Sequence, residues 1–271
     1  MNTRTAPSTD VAARPMWRTV AIPSEHGGWG LTAEPILLGL LLAFSWPGLA
    51  IGLAAMLAFL ARTPLKLALV DRRRGRDLDR TALARRIAVA EVVAIAALGG
   101  TALLVAGPKW LVPVAIALPL FAVELRYDIR SRGRRLVPEL CGAVGMGAVA
   151  AAIVVAGDES ARLAAAAWLV LAARSVAAIP FIRTQIGRLH RGAVSTRSSD
   201  LFQLLAIAIA VVAAVVEPDV LFGSIAVVVI VGLHLIWLRR SPVPPAKVLG
   251  LGQMALGFAL VAATAIGVQL A

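Results

Sequence analysis

Long apolar runs alternate with short polar gaps from residue 30 to the end of the chain. A helix needs about 20 apolar residues to cross a hydrocarbon core of about 30 Å. The runs lack the period-two alternation of barrel strands, so they predict helices. The runs are 30–46, 48–70, 87–106, 109–124, 137–156, 163–182, 201–216, 220–238 and 248–270. This pattern predicts an all-α, polytopic membrane protein with nine transmembrane helices.

Composition excludes a soluble protein. Of the 271 residues, 59% are hydrophobic, and the mean hydropathy is +0.85. Soluble domains are about 45–50% apolar. The net charge of +12 would also suit a nucleic-acid-binding protein. However, the charged residues flank the apolar runs, as membrane topology requires. We therefore expect the lipid bilayer, and no nucleic acid, as a partner.

The basic residues predict an orientation. Twenty-two of the 27 Lys and Arg residues lie in the N-terminal tail or in the gap after every second run. Only Lys109 and Arg162 lie in the other gaps. Basic loops remain in the cytoplasm, so the N-terminus is expected inside and the C-terminus outside. Residues 1–22 are predicted to form a cytoplasmic tail, and 23–271 a single transmembrane domain.

The chain resembles itself at an offset of 112 residues. Arg62 then aligns with Arg174, and Glu91 with Gln203. A match at polar positions within apolar runs indicates duplication rather than similar composition. The sequence therefore predicts a tandem four-helix repeat, with units at about 48–156 and 163–270, preceded by one N-terminal helix.

Ionisable residues within the apolar runs are the first candidates for function. Each costs about 2.5–3.5 kcal/mol to insert and needs a partner. They are Glu34, Arg62, Lys66, Glu91, Arg174 and, at the start of the fifth run, Glu139. One interpretation is structural, with Glu34 and Glu91 pairing with Arg62 and Arg174. The other is functional, because a surplus of arginine at the cytoplasmic side suits phosphate or carboxylate.

The segment before the first run reads Pro-Ser-Glu-His-Gly-Gly-Trp-Gly at residues 23–30. Its glycines permit unusual dihedral angles, which favours a reentrant or capping element at the cytoplasmic mouth. Glu25 and His26 would close that mouth and act there as acid or base. Together with Glu34-Pro35, this segment resembles the start of the YwiC-like family of bacterial membrane proteins. The resemblance implies a bacterial inner membrane protein.

Nine helices with two repeat-related basic loops also resemble the UbiA superfamily of membrane prenyltransferases. Those enzymes hold an isoprenyl diphosphate through magnesium at Asp-rich motifs. Asp71 and Asp77 match the tail of the first motif, but Lys66, Leu67 and Ala68 stand where earlier motif residues belong. The second loop, residues 183–192, has no carboxylate. Because divalent cations need several oxygen ligands, the resemblance leaves Asp71 and Asp77 as candidates for a residual Mg²⁺ site and leaves catalysis open.

Three functions follow as hypotheses. The first is a UbiA-like protein that binds an anionic isoprenoid or lipid-like molecule in a basic, cytoplasm-facing cavity. Arg62, Lys66 and Arg174 would contact the anion, and Arg183 and Arg188 would guide it in. Glu34, Glu91 and Glu139 complete the candidate ligand-binding set, and Glu25, His26, Asp71 and Asp77 the candidate catalytic set. The alternatives are an organic-anion transporter, with its site between the repeats, and a non-catalytic scaffold.

Overall fold

The computed structural model describes residues 16–21, 26–130, 133, 135–240 and 242–271. Every regular element in these residues is helical. The elements are α1 (Met16–Ala21), α2 (His26–Leu42), α3 (Trp46–Arg73), α4 (Asp79–Ala106), α5 (Leu111–Ile129), α6 (Leu136–Ala156), α7 (Ala161–Arg191), α8 (Arg197–Val216), a 3₁₀ turn (Pro218–Val220), α9 (Leu221–Arg239) and α10 (Ala246–Leu270). The predicted all-α class is confirmed.

Within the described residues, seven helices are long and apolar enough to span a membrane: α3, α4, α6, α7, α8, α9 with its preceding turn, and α10. The apolar stretch of α2, Gly28–Leu42, is shorter. Helix α5 has 19 residues but carries Glu124, Arg126 and Asp128 in its last turns. The protein is thus a multi-pass membrane protein by helix length and composition. The predicted count of nine spans is not confirmed.

Helices α3 and α7 begin at serine caps. Ser45 Oγ accepts a hydrogen bond from the Gly48 amide at 3.0 Å and begins α3. Ser160 Oγ accepts one from the Leu163 amide at 3.0 Å and begins α7. A serine at this position satisfies one of the free amides of the first turn. Both helices end in arginines, which suit the negative end of the helix dipole.

Contacts between helices fix their relative directions. Helix α2 runs parallel to α10, because the start of α2 lies near the start of α10 and Leu41 lies near Gln269. Helix α3 runs parallel to α5, and α7 parallel to α9. Glu139, at the start of α6, meets Arg183, near the end of α7. The four arginine-rich connections therefore lie at one end of the bundle, which we call the basic end.

Helix α7 lies at the centre of the bundle. It packs against α6, α8 and α9 and also touches α2 and α10. Its buried face is rich in alanine, for example Ala166, Ala167, Ala173 and Ala177. Small residues let helix backbones approach closely, which matters where no hydrophobic effect drives helices together. Helices α3 and α4 form a hairpin that is much less buried.

Candidate functional site

Two polar clusters lie within the helices. The first, the α3–α5 cluster, consists of Arg62, Lys66, Glu124 and Asp128. Arg62 Nε lies 2.9 Å from Asp128 Oδ2, and Arg62 Nη2 lies 2.9 Å from Glu124 Oε1. Lys66 Nζ lies 3.0 Å from Asp128 Oδ1. Two cations on α3 thus face two carboxylates on α5.

The local sequence sets this geometry. Arg62 and Lys66 are four residues apart, as are Glu124 and Asp128, so each pair lies on one face of its helix. A side chain at Gly142 on α6 would meet the Glu124 carboxylate, with both oxygens at 2.5 Å. The glycine therefore leaves room for Glu124. Asp128 is buried, whereas the side chains of Arg62 and Lys66 remain 36% and 39% exposed.

The second cluster, the α7 cluster, consists of Glu34, Arg174, Gln203, His234 and Gln253. The closest charged atoms of Glu34 and Arg174 are 3.8 Å apart, and both side chains are at most 3% exposed. Arg174 Nη2 also donates to the Gln253 backbone oxygen at 2.6 Å. A side chain at Gly257 of α10 would overlap the Glu34 carboxylate. Five helices therefore meet at one buried polar centre.

Hydrogen bonds extend this centre across α9 and α8. The Gln253 side-chain amide lies 2.9 Å from His234 Nε2. His234 Nδ1 lies 3.4 Å from Gln203 Oε1, and Gln203 Nε2 donates to the Ala177 backbone oxygen at 2.8 Å. The His234 ring stacks on Phe181, with centroids 4.0 Å apart. If Nε2 accepts from Gln253, then Nδ1 carries the proton and donates to Gln203, which satisfies a neutral imidazole.

Some buried atoms of the α7 cluster have no hydrogen-bond partner among the described residues. They are Arg174 Nε and Nη1 and Gln253 Oε1. Buried polar atoms in native proteins are normally bonded, so each unbonded one needs an explanation. Intramembrane charges of this kind mark pathways or sites more often than they add stability.

The predicted partners of Arg62 and Arg174 are only partly those observed. Glu34 pairs with Arg174, as the structural interpretation expects. Arg62 instead pairs with Glu124 and Asp128 on α5. Glu91, on α4, has a buried Oε2 with no hydrogen-bond partner. The two arginines that align in the predicted repeat therefore belong to separate clusters, and Arg174 is too buried to line a water-filled cavity.

The other predicted binding residues lie at the basic end. Arg183 Nη1 donates to Glu139 Oε2 at 2.8 Å, across α7 and α6, and both side chains are partly exposed. Arg188 donates to the backbone oxygens of Leu238 and Arg240 at 2.7 and 3.0 Å. These are free carbonyls at the end of α9, so Arg188 caps that helix. The predicted guiding role of Arg188 thus coincides with a structural one.

Asp71 and Asp77 have different partners. Asp71 is buried and accepts a hydrogen bond from Thr81 Oγ1 at 2.7 Å, with Arg80 3.5 Å away. Asp77 is 81% exposed and pairs with Arg85 at 2.7 Å. The described residues contain no group of three His, Cys, Asp or Glu side chains that could hold a metal ion. Asp71 and Asp77 do not fit a shared magnesium site, because Asp71 binds Thr81 and Arg80 whereas Asp77 pairs with Arg85.

Two candidate residues, Glu25 and His26, precede the apolar part of α2. Glu25 lies outside the described residues, and only the backbone of His26 is described, as the first residue of α2. Their roles as mouth-closing or catalytic groups stay predictions.

A bundle of long apolar helices that holds two clusters of partly buried charges defines a multi-pass helical membrane protein. Residues 22–154, nearly half of the chain, match the family model described as YwiC-like protein. This match confirms the resemblance to the YwiC-like family predicted from residues 23–35. No curated protein and no solved structure matches the chain. The likeness to UbiA enzymes is therefore not supported by a relative.

Proposed function

We propose that this membrane protein binds the anionic head of an isoprenoid or other lipid-like molecule at the α3–α5 cluster. The observation that carries this proposal is the partial exposure of both cations, 36% for Arg62 and 39% for Lys66. Arg62 pairs with Glu124 and Asp128, and Lys66 pairs with Asp128. Their partial exposure leaves both cations accessible to an anionic head group, and the planar guanidinium of Arg62 is suited to phosphate or carboxylate.

The proposal is confined to binding. Transfer of an isoprenyl group in the UbiA manner requires magnesium on Asp-rich loops, and Asp71 and Asp77 are held by separate partners. Arg174 takes a different part from the one predicted, because its 2% exposure keeps it from an entering ligand. Arg183, exposed at the basic end, keeps its proposed role of guiding the anion.

A direct binding test separates this function from a purely structural one. Purified protein is titrated with farnesyl diphosphate in detergent. Arg62→Gln and Lys66→Gln are each expected to weaken binding about tenfold, because a hydrogen bond to a charged group contributes about 1.5–3 kcal/mol. The control is Arg86→Gln with Arg197→Gln, which removes two exposed charges outside the cluster. Unchanged affinity in the folded Arg62 and Lys66 variants would refute the proposal.

A transporter is the second candidate, because the α7 cluster carries buried polar groups across five helices. We propose, in support of it, that the two halves are copies. Arg62 on α3 and Arg174 on α7 align in the proposed repeat. Arg62 pairs with Glu124 on α5, and Arg174 lies near His234 on α9. Transporters built from repeats place their site between the units. Flux of an organic anion into protein-containing liposomes, abolished by His234→Ala but not by Arg86→Gln, would favour transport. Release of pyrophosphate from farnesyl diphosphate with magnesium would instead favour an enzyme.

A further inference from the structure

Two adjoining hollows lie at the basic end of α5, on its outer surface. The larger has a volume of about 480 Å³ and is lined by Arg73, Arg126, Arg130, Ala122, Leu125 and Ile129. The smaller, of about 260 Å³, shares Arg126 and Arg130 and adds Arg135, Tyr127 and Val123. We call the two together the arginine groove. Arg126 and Arg130 form the ridge between the two hollows.

The arginine groove is separate from the α3–α5 cluster, although both include α5. A helix turns by about 100° per residue, so Arg126 lies on the opposite side of α5 from Glu124. Glu124 and Asp128 face α3, and Arg126 and Arg130 face outward and are exposed. Among the described residues, no acidic side chain lines either hollow. The positive charge of the groove is therefore not neutralised by its own walls.

The arginines of the larger hollow differ in their hydrogen bonds. Arg73, from the end of α3, donates to the Ile129 backbone oxygen at 3.3 Å and so reaches across to α5. The side chains of Arg126 and Arg130 have no hydrogen bond or ion pair with any described residue. Free guanidinium groups four residues apart on one helix offer parallel forks to a single phosphate.

An apolar stripe leads along α5 into the larger hollow. Leu111, Leu118 and Leu125 are exposed and lie on one helix face with Ala122. This stripe suits acyl chains, and the arginines at its end lie where head groups of the nearer leaflet are found. Basic pockets beside transmembrane helices on the cytoplasmic side bind anionic lipid head groups. A soluble phosphate would gain nothing from the stripe.

We propose that the arginine groove binds the phosphate head group of an anionic phospholipid, with the acyl chains along the outer face of α5. This site goes beyond the proposed function, because it lies on the bilayer side of α5 and uses none of the residues of the α3–α5 cluster. It would hold α5, whose last turns carry charged residues, at a fixed depth in the membrane.

The test is a titration of the purified full-length protein with phosphatidylglycerol, followed by native mass spectrometry. Arg126→Gln with Arg130→Gln removes the ridge, and Arg86→Gln with Arg197→Gln is the matched control. Each basic residue near an anionic lipid surface contributes an attraction worth about fivefold in affinity. The ridge variant is therefore expected to bind about 25-fold more weakly, and the control to stay within about twofold. Phosphatidylcholine is expected to bind weakly to all three proteins.

Three results would overturn the proposal. The first is an equal loss in the control variant, because generic surface charge would then explain binding. The second is equal affinity for phosphatidylcholine. The third is displacement of phosphatidylglycerol by millimolar inorganic phosphate, which would indicate a soluble-anion site. Arg126→Lys with Arg130→Lys keeps the charge and guards against a folding defect, since it should bind more tightly than the Gln variant.

Failure here can be told apart from failure of the proposed function. The ridge variant should bind farnesyl diphosphate with the affinity of the unmodified protein. Arg62→Gln should likewise retain phosphatidylglycerol. If either variant lowers both affinities equally, the two sites are not separate, and the lipid site on α5 is refuted.

Discussion

The pair Glu34–Arg174 is expected to be the most strongly coupled ion pair in the molecule, although it is not the shortest. Its charged atoms lie 3.8 Å apart with both side chains buried. At an effective dielectric constant of about 20, unit charges at that distance attract by about 4 kcal/mol. Removing one partner leaves the other charge buried and unpaired, which typically costs about 3–5 kcal/mol. Glu34→Gln and Arg174→Gln should each destabilise the protein by that amount.

A double-mutant cycle isolates the attraction between these two side chains. Arg174 also donates to the Gln253 backbone oxygen. That bond is lost both in Arg174→Gln and in the double variant, so its contribution cancels in the cycle. The double variant should therefore be less destabilised than the sum of the two single variants, with a coupling energy of several kcal/mol. Unfolding of the protein by SDS in mixed micelles, followed by tryptophan fluorescence, gives the four free energies.

The control is a second cycle at Arg62 and Glu124, whose charged atoms are closer, at 2.9 Å. Arg62 is 36% exposed, and partly exposed pairs contribute at most about 1 kcal/mol because solvent screens them. Burial rather than distance should therefore decide the order of the two coupling energies. A coupling at Glu34–Arg174 no larger than that at Arg62–Glu124 would refute this reasoning.

Three further predictions concern packing, capping and topology. Gly39→Ala should destabilise the protein by about 1–3 kcal/mol in the same SDS titration, because its Cβ would lie 3.1 Å from backbone atoms of α6. The control is Gly250→Ala, which should not destabilise the protein because its Cβ would meet nothing within 4 Å. Arg188→Gln should speed amide hydrogen exchange in the last turn of α9, since two carbonyls there lose their donor, while exchange in α4 stays unchanged. Reporter fusions should place the connection 74–78 inside the cell and 157–160 outside; fusions that report the same side for both would contradict the orientation.

The apolar runs predicted the helices well but not their ends at the basic side. The run 137–156 corresponds to Leu136–Ala156. The run 163–182, by contrast, belongs to a helix that continues to Arg191. Apolar character stops where the bilayer ends, whereas the backbone continues as a helix through arginine, leucine and glutamine, which have good helix propensity. Hydropathy thus measures the membrane-embedded length rather than the helix.

The carboxylates of the α3–α5 cluster were missed for the same reason. The fourth run ends at residue 124, so Glu124 is its last residue and Asp128 falls in the polar gap that follows. In the structure they belong to α5, which ends at Ile129. One signal was present in the sequence: two cations four residues apart on one helix, and two carboxylates with the same spacing on the next helix of the same direction. Glu91, chosen because it lay within an apolar run, lacks that complementary spacing.

The two clusters divide the chemistry between the halves of the molecule. In the first half, Arg62 is balanced by carboxylates that reach it from α5, and its side chain remains 36% exposed. In the second half, the carboxylate that lies near Arg174 comes from Glu34 on α2, and His234 of the same cluster lies on α9. The buried charge of Arg174 is thus neutralised from α2. The Glu34 carboxylate of α2 fits against Gly257 of α10, where a side chain would overlap it. An exchangeable ligand can compete only where a cation is accessible, so the proposed binding role falls within residues 22–154, the part that matches the YwiC-like family model.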